Sequence, residues 1–302
     1  MKTIHFGVWT PSSACWEDIL KAWKKIESLG FDSAWLADHF INPYQPRSPW
    51  FETWSLLAGL ATETSTIQIG TMVTNIIYRN PAVLARQAMT VDHISHGRLN
   101  FGIGAGSSRD PSHPMTGVPR WRVKERVERF KEIVEILDAM LRNEETTYEG
   151  KYYQIEQSIL LPRPLQKPRL KITIAALGEK TLKIAAQFGD SWNSLPHGTS
   201  SSEEAVEMTR KRNELISLHA EKFGRDPKGI VRSLGMGWTS DKPYDSMGAF
   251  YDYVGKYVEA GINEFILGYL PSKWDFDIPF QIIKDEDLLE RIALEAIPNI
   301  RH

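Results

Sequence analysis

The stretch that decides the fold reads IQIGTMV (residues 67–73), PAVLARQAMTVDH (81–93) and LNFGIG (99–104). The first and last segments are short, apolar and bounded by turn residues, which predicts buried β-strands. The middle segment begins with Pro81, a residue suited to the first turn of a helix, and keeps a helical pattern to about His93. Strand, helix and strand in this order form a βαβ unit, which predicts a parallel sheet.

The same alternation continues in both directions along the chain. Strands are expected at Ile4–Thr10, Asp32–Leu36, Ile67–Val73, Leu99–Gly104, Lys171–Ala175, Asp190–Asn193, Ile230–Met236 and Asn263–Leu267. Helices are expected at Glu17–Leu29, Thr53–Thr62, Pro81–His93, Lys124–Leu141, Glu179–Phe188, Glu203–Phe223, Ser246–Glu259 and Asp285–Ala296. Eight strands, each with a following helix, predict an α/β fold of the closed (β/α)₈ (TIM) barrel type rather than an open sheet.

The regular spacing breaks after the fourth strand. Residues 105–123 carry Gly, Ser and Pro and are expected to form a long loop, whereas Thr146–Ile155, centred on Gly150, is expected to form a small hairpin. A second insertion is expected after the eighth strand. We expect both insertions to belong to the barrel, so that residues 1–302 form a single domain.

Composition limits the function classes. The 302-residue chain has a formal net charge of −2 and one cysteine. Without a basic cluster, neither nucleic acid nor a membrane surface is an expected partner. One cysteine excludes an internal disulfide, and no group of cysteines indicates zinc. With no signal peptide and no long apolar span in the sequence, we expect a cytoplasmic protein that acts on a small molecule.

The second strand ends in the most chemically useful pair. Active sites of (β/α)₈ barrels form at the carboxyl ends of the strands, and Asp38-His39 is the titratable pair placed there. His39 can donate or accept a proton near neutral pH, and Asp38 can orient it or bond to a ligand. The alternative is a histidine that is simply hydrogen-bonded in place.

The fourth strand ends in glycines. GIGAG (102–106) runs into Ser107 without a helix start, which argues against a dinucleotide-binding crevice. Two interpretations remain open: backbone packed against a flat ring, or a close backbone approach at the barrel rim.

The fifth strand leads into a helix N-terminus through Ala176 and Gly178, with Thr181 in the first helical turn. Free amides and the helix dipole favour an anion there, and the Thr181 hydroxyl adds a donor. A plain turn in which Gly178 supplies flexibility is the equal alternative.

Motifs for other chemistries are missing from the sequence. There is no His-x-His after the first strand, no G-x-S-x-G, and no pair of carboxylates at the ends of the fourth and seventh strands. We expect no metal site. A bound organic cofactor, positioned by the protein, then explains the chemistry best.

A series of motifs identifies a family. They are YRNPAVLAR (78–86), VDHISHGRL (91–99), GIGAG (102–106), GEKTL (178–182), GDSWN (189–193) and AGINEF (260–265). In this order they resemble the luciferase-like flavin-dependent oxidoreductases, and the resemblance covers nearly the whole chain. It implies a flavin-type cofactor and a homodimer.

Within that family, WLADHF (35–40) resembles the branch that uses the deazaflavin coenzyme F420, whereas the FMN-using branch more often has Glu-His. The resemblance implies that Asp38 and His39 lie against the deazaflavin ring, with His39 as proton donor or charge stabiliser. It also implies a bulged third strand with a non-prolyl cis peptide at Met72-Val73, behind the ring.

The rest of the cofactor site follows from the same resemblance. It implies a phosphate region at Ala176, Gly178 and Thr181, and an approach of Gly106 and Ser107 to the cofactor. Because F420 carries an acidic tail, basic side chains at the rim are expected partners, and Arg109 and Lys180 are candidates.

Two departures argue against a sugar phosphate as substrate. F420-dependent sugar-phosphate dehydrogenases carry Glu where this chain has Ser107, and Trp where it has Asn42-Pro43-Tyr44. The expected reaction is hydride transfer between F420 and a small organic molecule. The alternatives are an FMN-dependent monooxygenase using O₂ and a barrel that binds flavin without turnover, with a barrel hydrolase disfavoured.

Overall fold

Eight parallel strands close into a barrel in the computed structural model, which describes residues 3–271, 274 and 278–301. The strands are His5–Thr10, Ser33–Leu36, Gln68–Thr71, Leu99–Gly104, Lys171–Ala175, Ser191–Ser194, Val231–Gly235 and Glu264–Gly268. The first strand pairs with both the second and the eighth, and the third pairs with the fourth through Ile69 and Leu99, which completes the ring.

Helices cover the outside of the barrel. They are Trp16–Ser28, Thr53–Glu63, Pro81–Ile94, Ser112–Met115, Val123–Arg142, Glu179–Phe188, Ser202–Lys222, Met247–Glu259, Glu286–Arg291 and Ile297–Arg301. Side-chain caps fix several of the starts: Asn80 accepts from the amide of Ala82 at 3.0 Å, and Ser246 accepts from that of Ala249 at 3.1 Å. The longer helices bury apolar side chains against the strands, so the core is the layer between them.

Seven strands lie within one residue of their predicted bounds, and the third differs. It stops at Thr71, passes through a cis peptide bond between Met72 and Val73, and resumes as Thr74–Asn75 beside the fourth strand. The cis bond implied by the family resemblance is therefore present. The interruption turns the chain at the carboxyl end of the strand, where the candidate site lies.

The insertions depart from the predictions in detail. The expected loop 105–123 contains the short helix Ser112–Met115. The hairpin is longer than predicted, with strands Glu145–Glu149 and Gln154–Ile159. The closing helix is split, because a π-helical segment at Ile292–Ala296 separates its two halves and the helix continues to Arg301.

The insertion after the eighth strand occupies residues 269–285, of which 272, 273 and 275–277 lie outside the described residues. Its two ends pair with each other: the amide of Leu270 donates to the carbonyl of Ile283 at 2.9 Å, and the amide of Ile283 donates to Gly268 at 2.9 Å. The insertion is therefore anchored to the end of the eighth strand. That residues 1–302 form a single domain stays a prediction.

Candidate active site

A cavity of about 270 Å³ lies at the carboxyl ends of the strands, and all eight strand ends contribute to its lining. Six of the residues predicted from the sequence line it: Asp38, His39, Met72, Val73, Gly106 and Ser107. The lining is largely apolar with a few polar groups, as in most small-molecule sites. The structure therefore brings together the residues predicted from the second, third and fourth strand ends.

Asp38 is held by the protein itself. Its side chain is 1% exposed and accepts two hydrogen bonds from Arg79, at 2.6 and 3.1 Å. It also accepts from the amide of Asn75 at 3.0 Å and from the hydroxyl of Tyr78 at 3.1 Å. Burial opposes the charge on Arg79, but Asp38 outweighs this and raises the pKa of Arg79. Asp38 therefore ties the second strand end to the segment after the third.

The carboxylate beside His39 is Asp110, which the sequence analysis missed. His39 Nδ1 lies 3.4 Å from Asp110 Oδ2, and the His39 side chain is 35% exposed. Of the two roles considered for Asp38, orienting His39 is thus wrong, since its contacts lie elsewhere. Asp110 is far from His39 in sequence and sits in an irregular segment, so no spacing could have linked the two residues.

Asp110 is buried and ionised. Burial raises its pKa, but the nearby His39 ring and the hydrogen bonds from Ser112 outweigh this and lower the pKa of Asp110 to about 2. The Ser112 amide donates to Oδ1 at 2.8 Å, and Asn75 Nδ2 donates to Oδ2 at 3.0 Å. With Nδ1 of His39 facing this carboxylate, Nε2 is the nitrogen left to exchange a proton with a ligand.

Bare backbone lines the cavity at the end of the fourth strand. A Cβ atom on Gly104 would lie 2.6 Å from Val73 Cγ2, and one on Gly106 would lie 2.6 Å from Asn75 Oδ1. Gly106 also has a φ of +67°, in the left-handed region that favours glycine. Packing behind the fourth strand end therefore requires glycine at both positions.

The predicted phosphate region lies beyond the cavity lining. Ala175 borders the cavity, but Ala176 is buried and its carbonyl accepts from Trp192 Nε1 at 2.8 Å. Gly178 is exposed, and the Thr181 hydroxyl donates to its carbonyl at 2.8 Å. The Thr181 hydroxyl therefore already takes part in hydrogen bonds that cap its own helix.

An aromatic cluster forms the opposite side of the cavity. Phe280 stacks on Trp238 with ring centroids 3.9 Å apart, and it contacts Trp9 and Tyr44 at 5.7 and 6.1 Å. Phe280 was not among the site residues predicted from the sequence. Phe280 arrives from the insertion after the eighth strand, and only the fold places it against the first, second and seventh strand ends.

Two other site types find no support. Among residues 3–271, 274 and 278–301, no group of three His, Cys, Asp or Glu side chains is arranged to hold a metal ion. Within the same described portion, every helix is too short or too polar to cross a bilayer.

Comparison with known proteins finds a matching family model and several curated relatives. A family model for luciferase-like monooxygenases matches residues 2–237. The F420-dependent glucose-6-phosphate dehydrogenase of Segniliparus rotundus is 30% identical over 213 residues, 69% of this chain and 60% of the relative. The 5,10-methylenetetrahydromethanopterin reductase of Archaeoglobus fulgidus is 33% identical over 167 residues, 55% of this chain and 46% of that protein. The chain thus spans less than two thirds of the length of these curated relatives.

Solved structures show the same fold. An F420-dependent secondary alcohol dehydrogenase, bound to an F420–acetone adduct, superposes with a TM-score of 0.77 at 20% identity, covering 88% of this chain and 93% of that one. The coenzyme F420-dependent tetrahydromethanopterin reductase of Methanopyrus kandleri gives 0.77 at 18% identity, covering 99% of both chains. The predicted (β/α)₈ barrel is confirmed.

Proposed function

Because the chain belongs to the luciferase-like monooxygenase family, we propose that it is an F420-dependent oxidoreductase acting on a small organic substrate. The observation that carries the proposal is the cavity itself, whose lining combines bare backbone at Gly104 and Gly106 with a proton-transfer group, His39. Curated relatives named as F420-dependent enzymes support the choice of cofactor.

The residues at this end of the barrel fit a flat ring with a phosphorylated, acidic tail. A ring packs well against backbone without side chains, and the close contacts behind Gly104 and Gly106 keep that wall bare. We assign ring contacts to Asp38, Met72, Val73, Gly106 and Ser107. When bound, F420 supplies a deazaflavin that carries a hydride.

The tail of the cofactor needs cationic and amide donors farther out. We assign its phosphate to Ala176, Gly178 and Thr181, because a helix begins directly after Gly178 and its dipole favours an anion. Arg109 and Lys180 are exposed and supply positive charge at the same rim. This assignment separates ring contacts inside the cavity from tail contacts outside it.

His39 supplies the proton chemistry. Nδ1 lies 3.4 Å from Asp110, which leaves Nε2 to give a proton to, or take one from, the oxygen or nitrogen of the substrate. Trp50 packs edge-on against the His39 ring at a centroid distance of 6.0 Å. Asp38 acts indirectly, because its hydrogen bonds fix the backbone that carries His39.

Turnover distinguishes the proposal from its two alternatives. Purified protein with F420 is offered a panel of alcohols and ketones without O₂, and oxidation state is followed by F420 fluorescence. We expect F420-dependent turnover under these conditions. Turnover that requires FMN and O₂ would establish the monooxygenase instead, and cofactor binding without any turnover would indicate a non-catalytic barrel.

The same assay tests the role of His39. We expect His39→Asn to lower kcat by about 10²–10⁴-fold, the usual contribution of a positioned acid or base, with little change in F420 affinity. His197→Asn is the matched control, because His197 is exposed after the sixth strand and does not line the cavity. Equal activity of the two variants would contradict the assignment.

We also propose that the protein acts in the cytoplasm, in keeping with its single cysteine. We propose in addition that it is a homodimer, as the family resemblance implies. Light scattering on the purified protein tests the dimer, and a mass corresponding to one chain would contradict it.

A further inference from the structure

The aromatic cluster of Trp9, Tyr44, Trp238 and Phe280 is fixed before any ligand arrives. The amide of Gln281 donates to the carbonyl of Gly237 at 2.9 Å, which joins the segment carrying Phe280 to the segment carrying Trp238. Gly237 has a φ of +87°, and a Cβ there would lie 2.1 Å from the carbonyl oxygen of Gln281. The stacked pair is therefore held by backbone contacts, and the cluster is a preorganised apolar surface.

Charges in the cavity lining oppose an anionic ligand. Of the described residues that line it, the charged or titratable ones are Asp38, His39, Tyr44 and Asp110, and none is Lys or Arg. The charge of Asp38 is neutralised by its ion pair with Arg79, which does not line the cavity. Asp110 is therefore the remaining negative charge in the lining. A phosphate or carboxylate there would lose water and meet the Asp110 carboxylate, and no Lys or Arg among the described lining residues would offset that repulsion.

The relatives named as glucose-6-phosphate dehydrogenases act on a phosphorylated sugar, which the lining of this cavity does not suit. Aromatic rings pack well against other aromatic rings, and Phe280 already contacts three of them. His39 also lines the cavity, where its ring can give a proton to an oxygen atom of the ligand.

From this arrangement, and resting on the proposed function, we propose that the substrate is an uncharged aromatic carbonyl compound or the corresponding alcohol. Its ring packs against Phe280 and Trp238, and its oxygen faces His39. In the reducing direction, the carbonyl carbon accepts a hydride, the π pair of the C=O bond moves to oxygen, and oxygen takes the proton of His39. The two electrons come from the reduced deazaflavin, which is oxidised.

Calorimetric binding of a matched pair of probes tests the charge preference. Acetophenone and 4-acetylbenzoate share ring and carbonyl and differ by one carboxylate, and glucose 6-phosphate serves as the anionic sugar. Each is titrated into the cofactor-free and the F420-saturated protein. We expect saturable binding of acetophenone in both, binding of 4-acetylbenzoate weaker by about tenfold or more, and none of glucose 6-phosphate.

Variants locate the binding surface. We expect Phe280→Leu and Trp238→Leu each to weaken acetophenone by about tenfold, because each removes ring contact area. Phe223→Leu is the control, since Phe223 follows the helix Ser202–Lys222 at the opposite end of the barrel and should leave affinity unchanged. The charge preference of the wild-type protein decides the proposal even where a variant fails to fold.

The failures are distinguishable. If F420 does not bind, the proposed function fails, while the probe preference of the cofactor-free protein still tests the ligand class. Equal or tighter binding of 4-acetylbenzoate or glucose 6-phosphate would overturn the proposal. Displacement of acetophenone by F420 would also overturn it, because the aromatic cluster would then belong to the cofactor.

Discussion

At the scale of single residues, the two carboxylates in the cavity differ in what they hold. Asp38 accepts four hydrogen bonds from Asn75, Tyr78 and Arg79, and it thereby connects two strand ends. Asp110 faces His39 and is itself held by Ser112 and Asn75. We therefore expect substitution of Asp38 to lower the stability of the fold first. Substitution of Asp110 should instead affect mainly the placement of His39.

Asp38→Asn is predicted to destabilise the fold. It leaves the Arg79 guanidinium, whose side chain is 8% exposed, without its buried counter-charge, and breaking a buried pair costs about 3–5 kcal/mol. Glu52→Gln is the matched control, because Glu52 is the other partner of Arg79 but is 48% exposed; its expected cost is below about 1 kcal/mol. Guanidinium denaturation measures both, and similar costs for the two variants would contradict this account of Asp38.

Asp110 gives the stability a pH dependence. Its pKa in the folded protein, about 2, lies below the ordinary value of 3.8, so its contribution is present above about pH 4 and is lost as the pH falls towards 2. The shift corresponds to about 2 kcal/mol. We expect Asp110→Asn to lose less unfolding free energy than the wild type between pH 5 and pH 2.5, as measured by urea denaturation. Parallel curves for the two proteins would show that Asp110 is not held as described.

At the scale of elements, the site depends on how the third and fourth strands end. The third strand leaves the barrel at the Met72-Val73 cis bond, and Val73 then packs against Gly104. The chain after the fourth strand turns at Gly106 and returns as Asp110, beside His39. These contacts explain why glycines, rather than any reactive side chain, dominate this part of the sequence.

Gly106→Ala is predicted to disturb this turn. Alanine in the left-handed region costs about 1–2 kcal/mol, and its Cβ would also meet Asn75 Oδ1. We expect a loss of stability of that size together with weaker F420 binding. Gly178→Ala is the control for stability, because Gly178 has a φ of −98° and no atom within 4 Å of the added Cβ. An unchanged melting curve for Gly106→Ala would argue against a close-packed wall.

Regular elements could be predicted from the sequence, and contacts between loops could not. The strand Lys171–Ala175 and the helix Glu179–Phe188 match their predicted bounds, because periodicity and turn residues mark them locally. The partnership of His39 with Asp110 joins two irregular segments, and the stacking of Phe280 on Trp238 depends on an insertion folding back over the barrel. Neither has a local signature.

At the scale of the whole molecule, barrel closure is what assembles the site. Eight strand ends that are far apart in sequence meet in one ring, and every one of them lines the same cavity. Part of that lining is bare backbone, part is aromatic, and His39 belongs to the same lining. This division separates a place for a flat cofactor from a place for its substrate.

Equilibrium binding of F420 and of FMN to the purified protein, followed by fluorescence, tests the central claim most directly. The proposed function predicts saturable binding of F420 and much weaker binding of FMN, because the strand-two motif and the curated relatives both indicate the deazaflavin. Binding of FMN with no binding of F420 would contradict it, and would assign the cavity to a flavin that works with oxygen.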